Sequence, residues 1–353
     1  MRPCGVAESD TGLRTAACEL SNWQTRATAK QPPSRVRPTF RGLGSQAVAT
    51  RVGRHRGLPA RYKCIHREHH LMEPMNTSTP VRRGLGITAG IDAGLARDLA
   101  VHCEHLGYHS LWSNDEPASP GLETLARFAT AATQLGLGVG ALPLDRHQPD
   151  RIAAEIDRLG LDPAKLWIGI GSGQLRSPIK FVERAVGELR ELLPEETRIV
   201  VAAMRPRLCR LGGAIADGVL FNWMLPPHAA QARRWVQEGA DEAGRAVPVV
   251  ATYVRVAVGS GSLQRLRDEE GYYRTVNEGH RKHFETMDVQ LGSVGVAASA
   301  RAEVLEGLAP YQATLDLPIA RVLAEHEATS LRAAAMAAAP PGAQVPDPTT
   351  IPK

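Results

Sequence analysis

From residue 81 the chain alternates short apolar runs with longer amphipathic stretches. The apolar runs show little polar–apolar alternation, which is typical of strands buried on both faces of a parallel sheet. The amphipathic stretches place apolar residues three and four positions apart, as in helices that pack one face on a core. Eight such strand–helix units in about 255 residues favour an α/β fold, a closed (β/α)8 TIM barrel, over an open doubly wound sheet. The predicted strands cover residues 84–89, 109–112, 135–142, 165–171, 198–204, 217–224, 247–259 and 316–323.

Helix starts can be predicted at two places from local residue types. Asp92 is placed to cap a helix predicted at 92–106. Ser177 precedes a proline, an arrangement that suits the start of a helix predicted at 178–193. The stretch 271–284 is interpreted either as a lid over the barrel or as an amphipathic helix packed on its side.

The two ends of the chain lack this pattern. Residues 1–74 have no clear periodicity and are rich in Arg, Pro, Ser and Thr, so we expect a disordered basic extension. An Arg-rich, acid-poor leader is also typical of an organellar transit peptide. A third interpretation, which we favour, is that Met72 or Met75 is the natural start. We expect the barrel over 81–338 and a flexible tail over 339–353.

The formal net charge of +5 is unevenly distributed. Residues 1–74 hold 13 Lys and Arg against 5 Asp and Glu, whereas residues 75–353 hold 29 against 32. The basic excess lies outside the predicted barrel, so we do not expect nucleic acid as a partner. The apolar runs fall short of the roughly 18 to 20 residues that span a bilayer, so we expect no membrane partner.

Cysteine spacing and motif searches exclude several other classes of site. The five cysteines are scattered, odd in number and never arranged as CxxC, which argues against a disulfide framework and fits a reducing cytoplasm. The sequence has no HExxH, GxSxG or Walker pattern. The cluster Cys64, His66, His69 and His70 has metal-binding residue types, but its place in the predicted extension argues against a metal site.

In a TIM barrel the active site lies at the C-terminal ends of the strands. After the second predicted strand, SNDEPASP carries Asn114, Asp115 and Glu116. These residues are either part of an ordinary polar loop or groups directed into a cleft. His147, after the third strand, is more typical of a structural residue than of a catalytic one. Trp223 lies at the end of the sixth strand.

The fourth predicted strand ends in the glycine-rich sequence GSGQLRS. Gly171, Ser172 and Gly173 would allow backbone N–H groups to approach an anion beside the positive end of the next helix. The GxGxG spacing lacks the GxxG part of a dinucleotide fingerprint, and the strand is the fourth rather than the first. A Rossmann fold is therefore excluded.

The fifth predicted strand is followed by MRPRLCR. Arg205 and Arg207 flank Pro206 where a helix is predicted to begin, so two cations meet the positive end of a helix dipole. This arrangement is unfavourable unless an anion binds there, although the arginines could also be solvated at the rim. The strand ends thus offer anion-binding groups and few nucleophiles, which suits a barrel that holds a cofactor.

Four segments together resemble the luciferase-like monooxygenase superfamily: GYHSLWSNDEP, LETLARFATAATQLGLGVGALPLDRHQPD, LWIGIGSG and VAAMRPRLCRLGGAIADGVLFNW. The resemblance runs from about residue 83 to residue 335. It is closest to the branch that uses the deazaflavin coenzyme F420, which includes methylenetetrahydromethanopterin reductases. It implies a TIM barrel with F420, or alternatively FMN, across the C-terminal mouth.

The resemblance also implies which residues contact the cofactor. In this family a bulge in the third strand, often with a non-proline cis peptide, supports the ring, and Gly138–Val139 match it here. The Ser172–Gly173 turn, next to Gly171, matches the Thr/Ser–Gly turn that holds the cofactor. The phosphate-binding loop matches Ala202, Ala203, Met204, Arg205 and Pro206, where Met204 and Arg205 replace glycines that are common in relatives.

Two departures from the family pattern bear on the reaction. F420-dependent sugar and alcohol dehydrogenases carry Asp-His after the second strand, where this chain has Asp115–Glu116. The sugar enzymes carry Glu after the cofactor turn, where this chain has Gln174. Reduction of a C=C or C=N bond, or oxygen chemistry on reduced FMN, is therefore favoured over alcohol oxidation. Glu116 or Asp115 is the predicted proton donor, and Gln174 and Trp223 are the predicted substrate contacts.

The leading hypothesis is an F420-dependent oxidoreductase that transfers hydride between the ring and a small organic substrate. An FMN-dependent luciferase-like monooxygenase with the same fold is the nearest alternative. A non-catalytic cofactor-binding barrel is a third hypothesis, because the usual acid–base pair is missing. We expect a small-molecule partner, a cytoplasmic location and a homodimer.

Overall fold

The computed structural model describes residues 82–345 except residue 277. The strands are β1 (Gly84–Ile87), β2 (Ser110–Ser113), β3 (Gly136–Pro143), β4 (Leu166–Gly171), β5 (Arg198–Ala202), β6 (Gly218–Asn222), β7 (Val249–Val258), β8 (Val296–Ala298) and β9 (Leu317–Val322). Strand β6 pairs with β7, and the other pairings run from β6 through β1 to β9 and back to β7, so eight parallel strands close into a barrel. The short strand β8 extends the end of β7. This closure confirms the predicted (β/α)8 barrel.

Helices follow the strands and cover the outside of the barrel. Asp92 caps the first helix as predicted, because its carboxylate accepts from the N–H groups of Gly94 and Leu95. The fourth helix begins after Ser177 as predicted, but the Ser177 side chain makes no capping hydrogen bond. The helices are α1 (Ala93–His105), α2 (Gly121–Ala129), α3 (Pro149–Arg158), α4 (Pro178–Leu192), α5 (Pro206–Ile215), α6 (Pro226–Glu242), α7 (Ser262–Val276), α8 (Glu278–Met287), α9 (Arg301–Thr314) and α10 (Ala328–Ala338).

The segment between β7 and β9 is more regular than the sequence suggested. It forms α7, α8, β8 and α9 in turn, with the 271–284 stretch divided between α7 and α8. Both helices have a mainly polar sequence, so their apolar stripe is narrow and hard to recognise. β8 has three residues, too few to form a detectable periodic pattern.

Aromatic side chains fill the inside of the barrel, and glycines on β3 make room for them. A Cβ added to Gly138 would lie 2.3 Å from Cδ2 of Trp112, far inside contact distance. A Cβ on Gly140 would lie 2.4 Å from Cδ2 of Leu220 and 2.8 Å from the Tyr253 hydroxyl. The glycines of the third strand are therefore explained first by packing.

The ends of the chain are only partly described. The interpretations given for residues 1–74 and the cysteine–histidine cluster lie outside the described residues. Of the predicted 339–353 tail, Ala339 is buried, and Ala343 and Val345 pack against the core. In the described part of the chain, no helix combines the length and the apolar character that crossing a bilayer requires.

Candidate active site

Polar and small side chains from the strand ends meet at the C-terminal mouth of the barrel. Thr88, Asn114, Ala141, Ser172, Ala202 and Asn222, from six successive strand ends, are all half-buried there. Asn114 fixes part of this rim, because its Oδ1 accepts a hydrogen bond from Ala89 N at 2.7 Å. A half-buried ring of this kind can contact a ligand without a change in the barrel wall.

A non-proline cis peptide lies in the third strand, but not where the sequence placed it. It joins Gly140 to Ala141, and the β3–β4 register shifts between Val139 and Leu142. The expected step, Gly138–Val139, is wrong by two residues. Both of those residues pair regularly with β2 and β4 and are buried in the barrel wall, below the mouth.

Three small residues beside this cis peptide form a shallow surface, the small-residue floor, made of Ala141, Gly171 and Ala202. A Cβ added to Gly171 would lie 3.3 Å from Cβ of Ala141 and 3.6 Å from Cβ of Ala202. Ala141 and Ala202 are half-buried, so the floor borders open space at the mouth. Such a surface accepts the flat face of a ring system, which larger side chains would displace.

The Ser172–Gly173 turn lies at the mouth, as predicted, and Gly173 has a positive φ of 54°. The carboxylate of Asp145 already bonds to this turn, because its Oδ2 accepts from Gln174 N at 3.0 Å. A Cβ added to Gly173 would lie 2.0 Å from Asp145 Oδ1. A fixed negative charge at this position disfavours a phosphate and favours neutral hydroxyl groups as ligands of the turn.

Asp115 is held by three hydrogen-bond donors. Its Oδ1 accepts from Gly121 N at 3.0 Å, at the start of α2. Its Oδ2 accepts from Arg146 Nη2 and pairs with His147 Nε2, both at 2.8 Å. The Asp115 side chain is 2% exposed. These contacts favour a role for Asp115 in positioning the loop after β3 over a role as proton donor.

Glu116 is the more accessible of the two predicted acids. It is half-buried, and its Oε1 accepts from Asn114 Nδ2 at 2.9 Å. The charge of Glu116 acts on His326, which follows β9 and was not singled out from the sequence. Burial lowers the pKa of His326, the Arg321 guanidinium lowers it further, and Glu116 opposes both effects. The three groups therefore interact across the mouth.

The residues predicted to bind phosphate lie at the start of α5. Ala203 is buried and bonded to β6, Met204 packs against the core, and Arg205 is exposed as the N-cap residue without a side-chain capping bond. Burial lowers the pKa of His283, the hydrogen bond to the Trp223 carbonyl raises it, and the nearby Arg205 guanidinium lowers it further. The Nδ1 atom of His228 is buried, and within the described residues it has no hydrogen-bond partner. A guanidinium near an imidazole nitrogen of this kind suits an anion.

Trp223, which the sequence analysis predicted as a substrate contact, packs among aromatic side chains in the structure. It has a positive φ of 52°, is 1% exposed and contacts the rings of Tyr273 and Phe284. The backbone turn at the end of β6 directs the indole under α7 and α8. His283 Nε2 donates to the Trp223 carbonyl at 2.7 Å, which fixes α8 over the same strand end.

Two buried arginines at the mouth were missed by the sequence analysis. Arg255 on β7 and Arg321 on β9 are register partners and are 3% and 2% exposed. Arg255 lies over the Trp223 ring at 4.0 Å and bonds to Asn222. The usable signal was a lone arginine in each of two otherwise apolar strands, VVATYVRVAV and LPIARV.

Comparison with known proteins identifies the fold. No protein-family model matches the chain. An F420-dependent secondary alcohol dehydrogenase in complex with an F420–acetone adduct superposes with a TM-score of 0.60 at 13% identity, covering 73% of this chain and 97% of that one. The coenzyme F420-dependent tetrahydromethanopterin reductase from Methanopyrus kandleri gives 0.54 at 15% identity, covering 72% and 97%.

An FMN enzyme is similar to the same extent. The oxygenating constituent of 3,6-diketocamphane monooxygenase from Pseudomonas putida, in complex with FMN, gives a TM-score of 0.54 at 13% identity, covering 76% of this chain and all of that one. The chain therefore shares the TIM-barrel fold of these three enzymes. At these identities the likeness establishes the fold and leaves the cofactor to be argued from the site.

Proposed function

We propose that this protein is a luciferase-like oxidoreductase that binds F420 across the C-terminal mouth and transfers hydride to or from a small organic substrate, with C=C or C=N reduction as the favoured reaction. The observation that carries the proposal is the small-residue floor beside the cis peptide, with a cationic helix start at the neighbouring strand end. When bound, the deazaflavin supplies or accepts the hydride at its ring carbon.

The residues present fit such a cofactor. The floor of Ala141, Gly171 and Ala202 would support the ring, and the cationic groups around Arg205 would hold the phosphate. The Ser172–Gly173 turn, with Asp145 bonded to it, would accept the cofactor's hydroxyl groups. The fit differs from the sequence expectation in that Gly140 and Ala141, rather than Gly138 and Val139, border the ring site.

The chain's own groups then orient the substrate and move the proton. We assign proton transfer to Oε2 of Glu116, because Asn114 holds Oε1 and the pair Arg146 and His147 occupies the alternative acid, Asp115. Gln174 is exposed beside the cofactor turn and is placed to contact the substrate. A rigid rim of this kind contributes to catalysis by holding the substrate in a reactive orientation.

Fluorescence titration of the full chain with F420 and with FMN tests the proposal. We expect F420 to bind, and Arg205→Ala to weaken binding about 10- to 100-fold, the usual effect of losing one charge-assisted phosphate contact. Arg198→Ala is the matched control, because Arg198 begins β5 at the opposite end of the barrel. Failure of both ligands to bind would refute the proposal, and equal binding by Arg205→Ala would refute the phosphate role.

The FMN alternative is supported by the similarity to an FMN-containing monooxygenase of the same fold. Oxygen consumption with reduced cofactor separates the two functions, because reduced deazaflavin reacts poorly with oxygen. Tight FMN binding with substrate-dependent oxygen uptake would favour a monooxygenase. Tight F420 binding without hydride exchange, measured with a panel of enones and imines, would favour a cofactor-binding barrel without turnover.

A further inference from the structure

Arg321 carries a positive charge that no described acidic residue balances. Arg321 is the second-last residue of β9, and it is 2% exposed. Its Nη2 donates to Thr88 Oγ1 at 2.9 Å, and its Nη1 donates to the carbonyl of Val322 at 3.3 Å. Both acceptors are neutral, and among the described residues, 82–276 and 278–345, Arg321 takes part in no ion pair.

The neighbouring Arg255 has partners of a kind that Arg321 lacks. Arg255 has an aromatic face at 4.0 Å in Trp223, a hydrogen bond to Asn222 and a carboxylate at 3.8 Å in Glu269. These contacts offset the free-energy cost of burying the Arg255 guanidinium. Arg321 is one strand away at the same register, so the positive field of Arg255 adds to its own.

The hydrogen-bond partners of Arg321 do not supply a negative charge, and Glu116, whose charge acts on His326, forms no ion pair with Arg321 among the described residues. Burial raises the pKa of Tyr253, so its phenol stays neutral and donates to the Ser113 carbonyl at 3.3 Å. Burial and the Arg321 charge keep the pKa of His326 low. A buried guanidinium with only neutral acceptors is costly unless an anion arrives, and its planar fork matches a carboxylate.

Thr88 places this charge beside the proposed reaction site. Thr88 is half-buried on the rim, so the guanidinium that bonds to it is directed toward the mouth. We propose that the substrate carries a carboxylate, which pairs with Arg321 at the mouth of the barrel. This inference rests on the proposed function for the reaction, but the carboxylate site itself can be tested separately.

Isothermal titration of the full chain with sodium benzoate and with benzamide, its neutral counterpart, tests the site. We expect benzoate to bind and benzamide to bind at least tenfold more weakly. Arg321→Met should weaken benzoate binding roughly 10- to 100-fold, as expected for a lost charge-assisted pair. Arg198→Met should leave it unchanged, because Arg198 lies at the start of β5, away from the mouth, where its guanidinium stacks on the Trp167 ring.

Further measurements test whether the variants fold and whether the anion bound by Arg321 belongs to the substrate or to the cofactor. Circular dichroism checks folding, and Arg321→Lys, which keeps the charge but loses the fork, should fall between wild type and Arg321→Met. Equal binding of benzoate and benzamide to the wild type would overturn the inference, as would full benzoate affinity in Arg321→Met. If Arg321 instead holds an anionic part of the cofactor, benzoate will compete with F420 and Arg321→Met will lose F420 affinity, which also overturns a substrate site.

The two proposals fail separately. Arg321-dependent benzoate binding without any F420 or FMN binding would refute the proposed function and leave the carboxylate site standing. F420 binding with no preference for benzoate would refute only the carboxylate site.

Discussion

At the scale of single residues, the mouth contains groups that are bonded within the protein and groups with capacity for a ligand. Asp115 and Asp145 belong to the first kind, because each carboxylate bonds to donors of a neighbouring loop. Glu116, Arg205 and Arg321 belong to the second. Sequence position alone gave Asp115 and Glu116 the same standing, because it places a residue at a strand end without showing what its side chain contacts.

The substitution Asp115→Asn tests the structural role of this carboxylate. The change puts an amide in place of an oxygen that accepts from Arg146 and His147, and so leaves these donors without their acidic partner. We expect the free energy of unfolding to fall by about 2 to 4 kcal/mol. Urea denaturation measures this, with Asp150→Asn as the control, since Asp150 is 70% exposed and should change stability little. A near-neutral Asp115→Asn would contradict the role.

Gly138 tests whether packing or cofactor contact explains the third-strand glycines. In Gly138→Ala the new Cβ would lie 2.3 Å from the Trp112 ring, and we expect a loss of about 2 kcal/mol or more. Gly187→Ala, in α4, is the matched control: apart from its own turn of helix, no atom of the described residues lies within 4 Å of the added Cβ, so stability should hold or rise by up to about 1 kcal/mol. Thermal denaturation of both variants decides between these outcomes.

At the scale of elements, the sequence predicted those strands and helices that have a clear pattern of apolar residues. The eight barrel strands were recognisable because each is a continuous apolar run, and α4 because its buried stripe is complete. Helix α2 ends at Ala129, and Glu104 accepts from Thr133, Gln134 and Leu135, so that it holds the following segment out of the helix. Such a contact between distant residues leaves no periodic signal.

The α7–β8 segment depends on one buried carboxylate. Glu270 is fully buried, and it accepts from Arg274 Nη2 at 2.6 Å and from Gly292 N at 3.0 Å. In Glu270→Gln an NH2 group replaces one carboxylate oxygen and faces the N–H groups that this oxygen accepted from. We therefore expect the free energy of opening this segment to fall by about 2 to 4 kcal/mol. Hydrogen exchange should rise in 288–296 and remain unchanged in β1–β6.

Glu285→Gln is the control for that experiment, because Glu285 is an exposed partner of Arg281 on α8. If exchange in the 288–296 segment were equal in the two variants, Glu270 would not be the residue that holds it.

At the scale of the whole molecule, the barrel determines which residues can meet. The order of strands brings Thr88 and Glu116, near one end of the described chain, close to Arg321 and His326, near the other. The fold that was assigned from the sequence therefore predicted the C-terminal mouth of the barrel as the candidate active site. It could not predict Arg255 or Arg321 as part of it, because the direction of a strand side chain depends on register and bulges.

The stability of the folded chain should fall as the pH is lowered from about 7 to about 4. Burial and the nearby Arg255 guanidinium lower the pKa of His280 to about 4, from an ordinary value near 6.5. Between these values the unfolded chain binds a proton that the folded chain does not, so acid favours unfolding. A shift of this size corresponds to roughly 3 kcal/mol from His280. Urea denaturation between pH 7 and pH 4 should show the loss, and His280→Gln should reduce it, whereas His105→Gln, on the exposed face of α1, should not. An unchanged pH slope in His280→Gln would mean that this imidazole is not the group responsible.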